Sequence, residues 1–305
     1  MPELFQDTAP LPYFSRHDGL LDHELLSRCH IACIGVGGAS ALLCDLARCG
    51  IETFTILDSD KVSATNVGTQ GFDSWDIGVR KVDALREKLI RINPAIDCLA
   101  LPKLYEEMTP EDRLIVSGAN VMLAMTDHFA TQALINEHAI NNRRDTIFAI
   151  ANTGMETVEV TATFPDNIAA GTGCHRCHTK ARYDAYRDGF QNPSLIPSHA
   201  LAASFLNSLL AHIIVGRLHQ QAGSPLAIAS IAAAFAQFPC LIARITPQFA
   251  VTPNNQRGAL LSLPFSAQLY ALDTPLGWIC PDCGTPGVVG VIEPPETLTK
   301  ERSTA

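Results

Sequence analysis

The sequence predicts an α/β fold, in which a doubly wound, mostly parallel sheet carries helices on both faces. Short apolar runs alternate with helix-like segments from residue 30 onward, and a glycine-rich turn joins the first run to the first long helix. Alternation of this kind is typical of strand–helix–strand units that build a parallel sheet. Of the 305 residues, 47% are hydrophobic, which is enough to fill a sizeable core.

The elements follow from local patterns. Strands are short runs rich in apolar and β-branched residues, and we expect them at 30–35, 53–58, 96–101, 119–125, 146–151 and 156–164. The last of these alternates polar and apolar residues, which predicts one exposed face. Long helices are expected at 38–49, 78–92, 128–141 and 200–219. A helix of small residues and a strand-like run should follow Pro225.

We find no linker, so the sequence predicts a single domain over residues 1–290. Within it we expect an N-terminal arm at 1–27, a nucleotide-binding half at 28–165, and a crossover loop with a cysteine-rich half at 166–290. Residues 291–305 have the composition of a flexible tail.

Charge and composition exclude some classes of function. A formal charge of −9 without a basic run argues against a nucleic-acid surface. The N-terminus lacks a secretory pattern, so we expect a cytoplasmic protein with reduced thiols. Two long apolar segments, 199–216 and 226–245, contain polar residues, and buried helices explain them better than membrane spans.

The glycine turn predicts a nucleotide site. Gly35, Gly37 and Gly38 stand where the first strand becomes a helix, so that the backbone can approach a phosphate closely. Asp58 follows Gly35 by 23 positions, at the end of the second apolar run, where an acid can meet a ribose hydroxyl. This pattern alone does not say which nucleotide binds, and a nicotinamide oxidoreductase would share it.

Two C-x-x-C pairs predict a zinc centre with the ligands Cys174, Cys177, Cys280 and Cys283. The pairs are separated by 102 residues, so only the fold can bring them together. Four thiolates leave no open position on the metal, which indicates a structural staple of the C-terminal part. Redox thiols remain an alternative, and Cys174–His178 also fits the c-type haem pattern C-x-x-C-H.

Taken in order, several motifs resemble the ThiF/MoeB/HesA adenylyltransferases, bacterial relatives of ubiquitin-activating enzymes. The resemblance covers roughly residues 13–285. It rests on YFSRH at 13–17, the glycine turn, LDSD at 57–60 with Val62 and Asn66, IGVRK at 77–81, INP at 92–94, TDHFAT at 126–131 and the cysteine pairs.

The resemblance implies a Rossmann-like fold, ATP and Mg²⁺ as cofactors, and a carboxylate that attacks the α-phosphate to give an acyl-adenylate and pyrophosphate. The expected partner is a small protein or peptide with a C-terminal carboxylate, and the expected assembly is a homodimer. Lys81 would reach the phosphates, Asp127 would hold Mg²⁺, and Arg16 would reach a phosphate from the neighbouring subunit. The nucleotide would also meet the glycine turn and Asp58, Asp60, Asn66 and Gln70.

The chain departs from the family pattern at several positions. Thr69 and Gln132 replace two arginines, and Ser40 replaces the last glycine of the turn. No cysteine lies between Cys177 and Cys240, so we expect no thioester intermediate. His199 stands in the region where thioester-forming members of the family carry a cysteine, and capping or packing explains it better than general-base catalysis. Because the arginines are missing, a non-catalytic, partner-binding subunit remains an alternative.

Overall fold

The computed structural model describes residues 12–151, 157–190, 199–244 and 266–288. They fall into two compact units. The first comprises Met1–Val121 and His199–Ala233, and the second comprises Met122–Ser198 and Ala234–Ala305. These boundaries differ from the halves expected at residue 165, and the single-domain organisation stays a prediction.

The regular elements alternate along the chain as the sequence predicts. The strands are β1 His30–Ile34, β2 Thr53–Leu57, β3 Asp97–Leu101, β4 Val121–Ala124, β5 Thr146–Ala151, β6 Thr157–Thr163, β7 Cys240–Arg244 and β8 Ser266–Leu269. The helices are α1 His23–Ser27, α2 Ser40–Cys49, α3 Ala64–Val67, α4 Lys81–Ile92, α5 Pro110–Ser117, α6 Phe129–Asn141, α7 Pro165–Ile168, α8 His175–His178, α9 Lys180–Arg187, α10 Ala200–Gln221 and α11 Ile228–Gln237.

In the first unit, β1 pairs with β2 and β2 with β3, both in parallel. Four of the five residues of β1 and of β2 are buried, as expected for central strands of a parallel sheet. Helix α2 packs against α4 and α10, and it buries Leu42, Leu43 and Leu46 completely. The three parallel strands and their helices confirm the predicted α/β class.

Helix α10 is the apolar segment for which the sequence left two interpretations. Of the helices that the structure describes, it is the one long and apolar enough to cross a membrane, by length and composition only. It contacts α1 and α2 within the first unit and buries Leu210, Ile213 and Ile214. These contacts fit the predicted buried helix.

In the second unit, β4 and β5 are parallel, whereas β5–β6, β6–β7 and β7–β8 are antiparallel. Strand β6 was expected to expose one face. Only its first half alternates, because residues 160–163 are all buried. Strand β6 pairs with β5 on one edge and β7 on the other, and helix α8 contacts it. The second half of β6 is therefore not exposed to solvent.

The six strands and four long helices predicted from the sequence are all present, with ends within a few residues. Helix α5 was not predicted, although its start carries two recognised signals. Thr109 caps it by accepting the Asp112 N–H at 3.2 Å, and Pro110 occupies the first helical position. The short helices α8 and α9 and strand β8 were also not predicted. They depend on tertiary contacts more than on local sequence, because α8 contains the first cysteine pair and contacts α9, and β8 pairs with β7.

Candidate nucleotide site and four-cysteine centre

The glycine turn of the first unit leaves β1 in a conformation that requires glycine at its first position. Gly35 has φ +84° and donates its N–H to the Leu57 carbonyl at 2.8 Å, which ties the turn to the end of β2. A Cβ at Gly37 would lie 2.8 Å from the Gln70 amide, so a side chain there would require the Gln70 side chain to shift. The Gln70 amide therefore lies against the turn, and its role in nucleotide binding stays a prediction.

Asp58 is oriented by the backbone of the same turn. One carboxylate oxygen accepts the Val36 N–H at 3.0 Å, and the other accepts the Asp60 N–H at 2.9 Å. Each carboxylate oxygen has more than one acceptor direction, so both can still receive a ribose hydroxyl. The predicted acid is thus held at the carboxyl end of β2, beside the glycine turn.

Lys81 is not a solvated helix charge. It is 7% exposed at the first position of α4, and its Nζ donates to Asp60 Oδ2 at 2.9 Å. Asp60 is the solvent-exposed member of this ion pair, since its side chain is 66% exposed. The ion pair places the Lys81 ammonium group beside Asp60, two positions after Asp58, and its contact with a phosphate stays a prediction.

Asn66 belongs to the short helix α3. Its amide oxygen accepts the Ser63 N–H at 2.8 Å, which closes a capping box. Its amide nitrogen can donate two hydrogen bonds to phosphate or sugar oxygens. The structure therefore gives Asn66 a capping role that the sequence analysis did not foresee, and leaves its donors for a ligand.

Two further residues hold the glycine turn and were missed in the sequence. Ser40 Oγ donates to the Gly37 carbonyl at 2.9 Å and accepts the Gly71 N–H at 2.8 Å. Asn207 of α10 donates to the Gly38 carbonyl at 3.0 Å, and its other amide atom is buried without a partner among the described residues. A lone asparagine on an apolar helix was the signal that could have identified it.

The remaining predicted site residues, Arg16 and Asp127, lie outside the segment from Gly35 to Lys81. Arg16 is exposed in a 3₁₀ turn at Pro12–His17 of the first unit. Asp127 is exposed in the second unit, three positions beyond β4, and its phosphate or metal role stays a prediction. His128 occupies the N-cap position of α6.

The four predicted zinc ligands converge within the second unit. Their sulfur atoms all lie within 4.8 Å of one another, and Cys174, Cys177 and Cys280 are nearly inaccessible to solvent. The Sγ–Sγ distances are 3.9 Å for Cys174–Cys177, 3.8 Å for Cys174–Cys280 and 3.5 Å for Cys177–Cys283. A tetrahedral zinc with Zn–S bonds of about 2.3 Å needs sulfur atoms about 3.8 Å apart, so the donor set fits zinc.

Backbone hydrogen bonds shape the second cysteine pair around this centre. Gly284 donates to the Cys280 carbonyl at 2.9 Å, and Cys280 donates to the Thr285 carbonyl at 2.9 Å. The Thr285 hydroxyl lies 3.1 Å from Cys283 Sγ, within hydrogen-bond distance. His178, which completed the haem pattern, is turned to the Thr172 carbonyl at 2.8 Å.

Cysteines outside the centre have raised pKa values. Burial raises the pKa of Cys29 to about 11 and that of Cys98 to about 12. The pKa of Cys240 is also about 12, first because of burial and then because of Glu159. Thiolates are the reactive form, so these residues are poor nucleophiles at neutral pH.

The profile of the ThiF family matches residues 12–246, well over half of the chain. The chain belongs to the ThiF family. This confirms the resemblance inferred from the motifs.

Curated relatives of this ThiF-family chain match it over limited regions. The adenylyltransferase and sulfurtransferase uba4 of Pyricularia oryzae is 30% identical over 167 residues, which cover 52% of this chain and 33% of that protein. The tRNA threonylcarbamoyladenosine dehydratase of Bacillus subtilis is 34% identical over 106 residues, covering 33% and 42% respectively. The chain thus spans well under two thirds of the length of either relative.

Solved structures share the fold at low identity. The E. coli MccB structure with MccA-N7isoASN has a TM-score of 0.58 and 16% identity, and the match covers 86% of this chain and 69% of that one. PaaA has a TM-score of 0.57 and 14% identity, covering 82% and 66%. These matches support the ThiF fold of this chain.

The structure also explains what replaces the two family arginines. Thr69 donates its hydroxyl to the Thr65 carbonyl at 3.0 Å, within its own local turn. Gln132 is 1% exposed and donates to the Thr126 carbonyl at 2.7 Å. Neither residue supplies a cation to a phosphate in this ThiF-family chain.

Proposed function

We propose that this protein is an ATP-dependent adenylyltransferase that activates a carboxylate as an acyl-adenylate. The observation that carries the proposal is the buried Lys81, which lies beside Asp60 in the same unit as the backbone-oriented Asp58 and the glycine turn. A dehydrogenase has no use for such a cation, whereas phosphoryl chemistry requires one. Family membership and the adenylyltransferases among the relatives support the same reaction.

In the proposed reaction, a carboxylate oxygen attacks the α-phosphorus of ATP. The bond from that phosphorus to the α–β bridging oxygen breaks, and pyrophosphate leaves with the electron pair. Lys81 would offset the negative charge that otherwise repels the carboxylate, while Asp58 holds the ribose and the glycine turn approaches the phosphates. Asp127 would hold Mg²⁺, which supplies further charge neutralisation when bound.

We propose a direct transfer of the activated acyl group without a thioester. No cysteine lies between Cys177 and Cys240, and the pKa of Cys240 is about 12. His199 also has a local task, because its Nδ1 accepts the Ala202 N–H at 3.2 Å as the cap of α10. The substrate class we propose is the C-terminal carboxylate of a ubiquitin-like protein, a sulfur carrier or a peptide, which fits the uba4 and MccB–MccA names.

The experiment that tests the nucleotide assignment is a thermal-stability series with Mg-ATP, Mg-AMP and NAD. Ligand at about 100 times its Kd adds about 2.7 kcal/mol, which raises Tm by several degrees. We expect Mg-ATP to stabilise the wild type and not Asp127→Ala, while Glu137→Ala, an exposed acid on α6, responds normally. Stabilisation by NAD alone would contradict the proposal.

A non-catalytic subunit is the second candidate, and the replacements at Thr69 and Gln132 favour it. Exchange of labelled pyrophosphate into ATP, assayed with peptides ending in a free carboxylate, separates the two. Exchange that Lys81→Met loses supports the enzyme. Binding of Mg-ATP without exchange for any peptide supports the subunit.

The proposed homodimer and the role of Arg16 can be tested by mixing two inactive variants. If Arg16 acts on the neighbouring subunit, Arg16→Ala and Lys81→Met mixed in equal amounts form hybrid dimers with one complete site. Random pairing then restores about a quarter of the wild-type sites. No recovery, with dimerisation shown by light scattering, would place Arg16 outside the partner's site.

A further inference from the structure

Asn136 lies in the middle of α6 and is completely buried. Both ends of its amide are used. Nδ2 donates to Asp282 Oδ2 at 2.8 Å and lies 3.6 Å from Cys174 Sγ, while Oδ1 accepts the Thr163 hydroxyl at 2.6 Å. Burial of an amide costs free energy unless it is hydrogen-bonded, and here both ends of the amide have partners.

The partners of Asn136 belong to both cysteine pairs. Asp282 stands between Cys280 and Cys283, and its other oxygen accepts from Arg176, which stands between Cys174 and Cys177, at 2.6 Å. Thr163 in turn accepts the N–H of His175 at 3.0 Å. One asparagine on α6 therefore connects β6, the first cysteine pair and the second.

The expected negative charge of a zinc-loaded centre would be stabilised by hydrogen-bond donors near its sulfur atoms. A zinc ion with four thiolates carries a net charge of about −2 in a dry environment, and hydrogen-bond donors to sulfur offset it. The nearby side chains Arg176 and Asp282 are oppositely charged and pair with each other. The Asn136 amide is a neutral donor directed at Cys174, and it adds no charge that would need a further partner.

The same helix begins next to the predicted magnesium ligand. Phe129, its first residue, packs edge-on against Tyr183 at 4.7 Å between ring centres and lies 6.5 Å from the ring of His175. Gln132 donates to the Thr126 carbonyl, which precedes Asp127. The cysteine region thus contacts α6 at its start and at its middle.

We propose that Asn136 is a positioning residue that donates a hydrogen bond to the Cys174 thiolate and joins both cysteine pairs to α6. Metal occupancy then sets the position of α6 and of the Thr126–His128 turn. The consequence for magnesium at Asp127 rests on the proposed function. The effect on the metal centre does not.

The test uses the full chain loaded with zinc or Co²⁺. Asn136→Asp directs a carboxylate at Cys174 and at Asp282, and we expect zinc transfer to a chelating dye to become 10–100-fold faster, roughly the range known for residues behind metal ligands. The cobalt–thiolate charge-transfer bands should shift. Asn141→Asp, an exposed position on the same helix, should change neither measurement.

The double variant Asn136→Asp/Asp282→Asn separates metal tuning from simple packing. It restores a hydrogen bond between positions 136 and 282 with donor and acceptor exchanged, but it leaves Cys174 without its amide donor. We expect near-wild-type near-UV circular dichroism together with shifted cobalt bands and fast zinc release. Full recovery of the bands and of the rate would overturn the proposal, as would an unchanged release rate in Asn136→Asp.

Titration with Mg-ATP completes the test. Zinc-loaded wild type should bind Mg-ATP more tightly than the zinc-free protein, and Asn136→Asp should lose part of this difference. An equal affinity with and without zinc overturns the coupling to α6. A failure of zinc-loaded wild type to bind Mg-ATP counts against the proposed function, while zinc release and cobalt spectra still decide the role of Asn136.

Discussion

The nucleotide-site region of the first unit and the four-cysteine centre of the second are organised in different ways. Between Gly35 and Lys81, backbone N–H groups and close neighbours in sequence orient the site residues, as Val36 and Asp60 do for Asp58. In the centre, the ligands come from segments 102 residues apart, and their sulfur atoms contact one another, the Asn136 amide and the Thr285 hydroxyl. The first region should tolerate the loss of one interaction, whereas the second should fail as a whole.

The largest effect is expected from breaking the cysteine centre. Zinc binding contributes about 10–16 kcal/mol in small zinc-finger peptides, so removal of one ligand should lower the stability of the second unit by several kcal/mol. We expect Cys280→Ser to lose bound zinc and to unfold at a much lower temperature, as measured by metal analysis and calorimetry. Cys49→Ser, a half-buried cysteine of α2, serves as the control and should retain both zinc and stability.

If Cys280→Ser kept the wild-type unfolding temperature, the second unit would be held by its apolar core. The proposed contrast, in which the cysteine centre fails as a whole and the glycine-turn region tolerates the loss of one interaction, would then be wrong. The same conclusion would follow if a chelator removed zinc from wild type without an effect on unfolding.

The next largest effect is expected from substitution of Lys81, which should reduce catalytic activity and leave the fold intact. Removal of one group that stabilises developing charge costs about 2.7–4 kcal/mol of transition-state stabilisation, or 10²–10³ in rate. We expect Lys81→Met to reduce ATP–pyrophosphate exchange by that factor while its far-UV circular dichroism stays unchanged. Arg86→Met, an exposed position on the same helix, should keep full exchange. Equal rates for both variants would remove Lys81 from the site.

The two regions also differ in how far the sequence predicted them. Strand and helix periodicity predicted that the glycine turn, Asp58 and Lys81 lie at the ends of regular elements, and the structure has them there, while their nucleotide-binding roles stay predictions. The four cysteines predicted from C-x-x-C spacing, which is a local signal, do converge in the structure, while zinc binding itself stays a prediction. What surrounds them was not predictable, since Asn136 and Asp282 are 146 residues apart and meet only through the folded chain. Ser40 was interpreted as a departure from the family, yet its hydroxyl joins two turns.

Ser40 offers a smaller test of the local organisation. Its fully buried hydroxyl bonds to Gly37 and Gly71, and Ser40→Ala leaves the buried Gly37 carbonyl and the half-buried Gly71 N–H short of a partner. The buried loss costs about 1–3 kcal/mol and the half-buried one less, so we expect a total of about 2 kcal/mol in urea unfolding with a modest loss of Mg-ATP affinity. Ser59→Ala, which is exposed, should be neutral. A neutral Ser40→Ala would show that the turn is held by its backbone alone.

The smallest effect concerns α5 and depends on pH. Asp112 accepts from Lys103 at 2.7 Å and from the Thr109 N–H at 2.9 Å, and the Lys103 hydrogen bond is the main cause that lowers the pKa of this carboxyl. A carboxyl with a lowered folded-state pKa stabilises the protein above its unfolded pKa of about 3.9, and this contribution is lost as the pH falls through the folded value. We expect Asp112→Asn to cost about 1 kcal/mol at pH 7, and this deficit should shrink as the pH falls below the unfolded pKa of about 3.9.

Asp166→Asn is the matched control for Asp112, because its ion pair with Arg143 has both side chains more than 70% exposed. Solvent-exposed ion pairs of this kind contribute little to the free energy of unfolding at any pH. The measurement is urea unfolding of wild type and both variants at pH 7 and at pH 3. If the deficit of Asp112→Asn persisted at pH 3, its cause would be the lost cap geometry of α5 and not the carboxylate charge. In that case the first unit would depend on local backbone capping even where it carries an ion pair.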